Sequence, residues 1–333
     1  MATSRPSPRL IRAAPALSGA ALLLALAMLL AVSVGAFALT PSEVFRGLAE
    51  RGDPVTARIV HDLRLPRVLV GALVGANLAI AGALLQGVTR NPLGDPHILG
   101  FSAGAGLFAV IAIDVLPAAP TAIVTPAAFV GSLVSAAVVY ALAWRGGITP
   151  VRFALAGVAV AALFTALSTA VLATSDRFTQ SVLSFLAGGL YGSGWDEVGH
   201  IWPYTLVAGV AAILMADTLN VLALGDDVAR SLGMRVERVR LALAVIAALL
   251  TGSAVAVAGL LAFVGLMVPH VARLAVGGDY RAVVPLSALL GALLLVLADT
   301  VARTVIAPVE IPVGIVTAVL GAPALLLLIR TRT

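Results

Sequence analysis

The sequence predicts an all-α membrane protein of about ten spans, and three observations carry that reading. Of its 333 residues, 61% are hydrophobic and 11% charged, too little polar surface to cover a soluble core of that size. Apolar runs long enough to cross a bilayer recur along the whole length. One of them opens on Arg64-Leu65-Pro66-Arg67 and closes on Asn91-Pro92-Leu93-Gly94-Asp95-Pro96-His97. The two are about 25 residues apart, roughly one bilayer of helix at 1.5 Å per residue. Helix breakers at that depth survive only where protein buries them or they line a watery path. Outer-membrane barrels, written in short alternating segments, do not contain unbroken runs such as 13–39.

The spans fall near 14–39, 66–88, 97–116, 121–143, 152–174, 198–217, 240–261, 262–277, 281–304 and 311–330, in one transmembrane domain over 1–333. Arg5, Arg9 and Arg12 precede the first, and Ala36-Phe37-Ala38 resembles a signal cleavage site. The run before it is longer than a signal core of about 7–15 residues, so a retained span is expected. Residues 1–13 then form a tail, 40–65 a polar segment on the opposite side, and 218–240 a long connection on the tail side. Of the 21 basic residues, all of them arginine, 14 fall on the tail side and 7 on the other. By the positive-inside rule both termini are cytoplasmic.

Two stretches echo each other, 79–85 (AIAGALL) and 256–261 (AVAGLL), each followed by Pro-His, at Pro96-His97 and Pro269-His270. The first lies in a span running inward and the second in one running outward. Such an inverted repeat places a transport path at the repeat interface. Both Pro-His pairs read as helix starts, and Asn91, Pro92, Pro96 and Pro269 as breaks along the path. Small-residue pairs at Gly71/Gly75, Gly100/Gly104 and Gly188/Gly192 read as close helix contacts.

Several chemistries are excluded. The chain contains no cysteine, hence no thiolate metal site or cysteine nucleophile. It contains no lysine, so it cannot hold ATP in a P-loop of the usual kind. A basic pI suggests nucleic acid only superficially, because membrane proteins accumulate arginine for topology. His61, His97, His200 and His270 have no ligand spacing, and no metal site is expected.

Arg64 and Arg67 stand three residues apart on one helical face, and Arg303 lies at the same end of a later span. Interfacial anchoring alone would account for them. Intramembrane polar residues are few (Asn77, Gln86, Asp299, with Asp114 near a helix end), and Asp299 is placed to pair with Arg303 four residues on. In the long connection, Gly225 and Gly233 bracket a short helix with Asp226 and Asp227 at its N-terminus, the favourable end for carboxylates. Residues 146–152 (GGITPVR) join two spans on the same side, which an ordinary proline turn would explain.

Taken together with Val268-Pro269-His270, Leu297-Ala298-Asp299, Glu310-Ile311-Pro312-Val313-Gly314 and Gly321-Ala322-Pro323, these motifs resemble the permease subunit of type II ABC importers, the FecCD family that carries iron-siderophores, haem and cobalamin. The resemblance covers about residues 63–330. It implies that Arg64, Arg67 and Arg303 dock an external binding protein. Leu224, Gly225, Asp226, Ala229, Arg230, Leu232 and Gly233 then seat in an ATPase groove, with a small face around Ala229 making the close approach. Gly147, Thr149 and Pro150 become part of a cytoplasmic gate, although Pro150 stands where relatives can carry a hydroxyl residue. The implied assembly pairs two permease copies, or one with a paralogue, with two ATPase subunits and one binding protein in the inner membrane. ATP is used by the partner subunit; this chain binds no cofactor directly and is not an enzyme. A ferric siderophore is the expected cargo, with haem and cobalamin open. An ion-coupled secondary transporter would need a buried coupling site, for which Asp299 stands alone. A membrane enzyme would need a clustered catalytic set, which is lacking.

Overall fold

The computed structural model describes residues 8–35, 39–49, 53–116, 121–145, 147–174 and 185–330. Arg5, Arg51, Gly146, Arg177 and Arg332 lie outside the described residues, so the topology charges on those arginines are not placed. Regular structure among the described residues is helical throughout. The first helix, α1 (Pro8–Ser33), starts before the expected end of the tail. A polar excursion follows. In α2 (Pro41–Leu48), Thr40 and Glu43 form a reciprocal capping box, and in α3 (Pro54–Arg58) the Asp53 carboxylate caps the Thr56 N–H. A π-helical turn, Ile59–Arg64, runs directly into α4 (Leu65–Thr89), which ends where Arg90 takes a left-handed conformation.

After an irregular stretch come α5 (Phe101–Val115), α6 (Thr121–Ala143), α7 (Pro150–Thr174) and α8 (Trp195–Leu214). Two short helices, α9 (Ala216–Ala223) and α10 (Asp226–Ser231), lead to α11 (Val236–Ala258). The chain closes with α12 (Val264–Val276), α13 (Tyr280–Thr304) and α14 (Val313–Arg330). Seven segments, those of α1, α3–α4, α6, α7, α8, α11 and α13, are long and apolar enough to cross a membrane. The other three predicted spans, α5, α12 and α14, are shorter apolar helices.

Helix α4 is the centre of the bundle, buried over most of its length and packed against α8, α11, α12 and α13. Glycine makes these contacts close. A Cβ on Gly75 would overlap the Gly291 carbonyl of α13, and one on Gly82 would overlap the Gly265 carbonyl of α12. Without a hydrophobic drive between helices in lipid, such backbone approach supplies the packing. Gly104 meets Gly131 in the same manner where α5 crosses α6. By contrast, Gly188 and Gly192 lie outside any helix with φ +69° and +76°, so they are turn glycines and not a helix contact pair.

The direction of each helix follows from its ends. The start of α4 meets the ends of α1 and α13, because Arg64 bonds Ser33 and Arg67 bonds Asp299. Its far end meets α10 and the start of α11, because Arg90 and Arg240 both reach Asp226. Helices α4 and α11, which carry the two echoed stretches, are therefore antiparallel, as an inverted repeat requires. Neither Pro-His pair begins a helix. Pro96-His97 lies in the turn before α5, whose N-cap is Gly100 at φ +84°. Pro269-His270 lies inside α12, whose start is set by Phe263 at φ +68°.

Candidate functional site

At the end of the bundle where α4 begins, three arginines converge. Arg67 Nε and Nη2 donate to the Asp299 carboxylate at 2.8–3.2 Å, and Nη1 reaches Glu310 at 3.0 Å. Arg303 lies one turn beyond Asp299, with 3.8 Å between Nε and Oδ2, and its Nη2 donates to Ala31 O. Arg64 Nη1 donates to the Val32 and Ser33 carbonyls at 2.7 and 3.1 Å. Two guanidiniums thus serve the last carbonyls of α1, the negative end of that helix. The expected Asp299–Arg303 pair is present, joined by Arg67. All three arginines are largely buried and face internal partners, while Glu310 beside Arg67 is exposed, as are Arg46 and Arg58. A cavity of about 780 Å³ opens beside this network, walled by Phe185, Tyr191, Val257 and Pro312. Glu310 was not singled out as a partner, because nothing local ties it to Arg67, 243 residues away.

The opposite end gathers the residues of the long connection and those of the 147–152 turn. Gly225 at φ +114° and Gly233 at φ +81° bound α10 on either side, which only glycine accommodates without strain. Asp226 sits at its first position, bonded to Arg90 at 3.0 Å and Arg240 at 2.7 Å. Arg230 reaches Asp227 and Glu237. Leu224, Val228 and Leu232 project outward, 65%, 44% and 65% exposed. Ala229 does the reverse and is fully buried against the core. The expectation of a small outer face around Ala229 is therefore corrected: the outward side carries branched Leu224, Val228 and Leu232 together with exposed Asp227 and Arg230. Thr149 Oγ1 accepts the Arg152 N–H at 3.3 Å, and Pro150 opens α7, where a missing N–H costs nothing. Gly147, Thr149 and Pro150 share an open cleft of about 580 Å³ with Leu224, Gly225, Asp226 and Arg230. The two sets, 75 residues apart in sequence, are one surface.

Between the two ends, the helix breaks are held by side chains. Asn91 Oδ1 accepts the Leu93 N–H at 3.0 Å, turning the chain at Pro92. Asp95, buried, accepts the His97 N–H at 2.8 Å and lies against Gly265 in the first turn of α12. Pro269 has no N–H for the Gly265 carbonyl one turn back. Gln86 Nε2 takes that place, donating to Gly265 O at 3.2 Å and Leu266 O at 3.1 Å. Gly265 accommodates Pro96 as well, since a Cβ there would lie 2.7 Å from Pro96 Cδ. Asn91, Pro92, Pro96 and Pro269 are thus parts of one joint between α4, α5 and α12. Gln86 and Asp95, its holding groups, were visible in the sequence only as polar residues in apolar surroundings.

A family model, the FecCD transport family, matches residues 23–331. The chain belongs to that family. Among its curated relatives, the Fe(3+)-citrate import system permease protein YfmD of Bacillus subtilis is 44% identical over 82% of this chain and 81% of its own. The cobalamin import system permease protein BtuC of Halobacterium salinarum is 46% identical over 84% of this chain and 76% of its own. The iron(3+)-hydroxamate import system permease protein FhuB of Bacillus subtilis is 41% identical over 92% and 81%. A solved structure of a metal-chelate-type ABC transporter in an inward-facing conformation superposes with a TM-score of 0.85 at 28% identity, covering 95% of this FecCD chain and 98% of that one. The chain is therefore a multi-pass membrane permease with the type II ABC importer fold.

Proposed function

We propose that this chain is the permease subunit of an ATP-driven importer of ferric siderophores in the inner membrane. Two copies, or this chain and a paralogue, enclose the path and work by alternating access. The α10 end faces the cytoplasm, in line with the arginine distribution. The observation that carries the reading is the surface at that end, where exposed Leu224 and Val228 sit beside the 147–150 turn across one cleft and Leu232 is exposed just beyond α10. In a chain without lysine, energy has to arrive through such a surface from a separate ATPase subunit, seating Leu224, Gly225, Asp226, Arg230, Leu232 and Gly233. Ala229 supports that surface from beneath. Gly147, Thr149 and Pro150 gate the inner end of the path.

The opposite end receives a loaded binding protein. Arg64, Arg67 and Arg303 draw acidic side chains of that partner, exchanging part of the internal pairing with Asp299 and Glu310 for contacts across the interface. Such charges set encounter rate and orientation more than affinity. The ferric siderophore is favoured because YfmD and FhuB are named for import of ferric citrate and iron(3+)-hydroxamate, whereas BtuC is named for cobalamin.

The test is reconstitution with the cognate ATPase and binding protein in proteoliposomes. ATP-dependent uptake of a radiolabelled ferric siderophore is expected. Uptake of cobalamin or haem in its place would keep the permease role and overturn the cargo. No nucleotide dependence with any chelate would overturn the importer reading itself.

A further inference from the structure

Two surfaces that the proposed mechanism needs to act together are tied by one buried arginine. Arg240, in the second turn of α11, is 1% exposed. One of its Nη groups donates to the Ile148 carbonyl, and the other to Asp226 Oδ1 at 2.7 Å. Glu237, one turn earlier, accepts the Ile148 N–H at 3.3 Å, and Tyr140 Oη donates to the Glu237 carbonyl at 3.1 Å. The Ile148 peptide, itself buried, is thus gripped through both its N–H and its carbonyl by the start of α11. Asp226 in turn belongs to α10 and holds Arg90 at the end of α4.

A planar guanidinium suits this place because its fork fixes two partners at a set angle. Burial makes the link stiff, since releasing either partner strands a charge away from water. The backbone route from α10 to α11 passes Gly233, which has open space around it, and is the softer of the two connections.

We propose that Arg240 is a positioning residue that makes the 147–150 turn move together with α10. A displacement of α10 then reaches the gate as a shift of the Ile148 peptide and is not absorbed by loop bending. The inference rests on the reading of α10 as the ATPase-facing element and of 147–150 as gate.

The chain has no cysteine of its own, so engineered thiols report cleanly. Spin labels at Arg145→Cys and Asp227→Cys, two residues that line the shared cleft, measure on the purified permease the distance between turn and α10. A single narrow distribution is expected in the wild-type background and a broad one with Arg240→Met. In the reconstituted complex, Arg240→Met should retain at least half of the ATP hydrolysis while import falls at least tenfold. A short bifunctional thiol reagent joining the two cysteines should restore most of that import. Wild-type import per ATP in Arg240→Met overturns the proposal. So does a parallel loss of hydrolysis and import that cross-linking leaves unchanged. Should the methionine variant fail to insert, Arg240→Lys carries the same test: it keeps the charge without the fork, and an unchanged label distance and import per ATP would overturn the link. A wild-type complex that neither hydrolyses nor imports would overturn the proposed function, while the label distances still read the link separately.

Discussion

At the scale of single residues, the chain spends its few intramembrane charges on each other. Asp299, with a side chain 4% exposed, accepts from Arg67 and lies beside Arg303. Removing it leaves two guanidiniums facing a site built for a carboxylate, and stripping one partner from a buried pair costs about 3–5 kcal/mol. Asp299→Ala should therefore lower the unfolding midpoint in detergent well below that of Asp299→Asn, which keeps acceptor oxygen and shape. Equal midpoints would mean that the pairing is worth little. Gln86→Leu strands the Gly265 carbonyl that Pro269 leaves open and removes the acceptor of Arg273. A loss of about 1–3 kcal/mol is expected. Restoring an N–H in the double variant Gln86→Leu, Pro269→Ala should recover part of it; no recovery would sever the link between the two. Neither relation was legible beforehand. Arg67 and Asp299 are 232 residues apart, and no periodicity relates Gln86 to Gly265.

Elements were far more legible. A bilayer demands a minimum apolar length, so the spans announce themselves in composition, and a helix stands on every predicted one. Glycines at 225 and 233 marked α10 because no other residue tolerates their backbone. Its orientation stayed hidden, since six residues are too few to display an apolar stripe. The three-dimensional arrangement divides what a sequence motif lumps together. Val228→Asp, on the exposed face, should leave a folded, inserted permease that no longer retains its ATPase during purification. Ala229→Trp, in a fully buried place, should instead fail to accumulate, because the core has no room for an indole. Pull-down of the ATPase, read beside the amount of inserted permease, separates the two. Wild-type ATPase retention by Val228→Asp would move the coupling surface elsewhere.

For the whole molecule, the positive-inside count predicts sidedness, and the absence of native cysteine makes it measurable. In intact spheroplasts, Arg58→Cys should react with an impermeant maleimide and Arg145→Cys should react only after lysis. The opposite pattern would invert the topology and, with it, the placement of the ATPase. One feature of the core also bears on how such a bundle yields to force. Helix α12 is weakest at the gap opposite Pro269, and that gap is closed by Gln86 from α4, the most enclosed helix of the bundle. Two rods fastened at the weak point of one behave as a laminate: neither bends there alone. Deformation is thereby shifted away from this joint, toward the link at Gly233 between α10 and α11, which has open space around it.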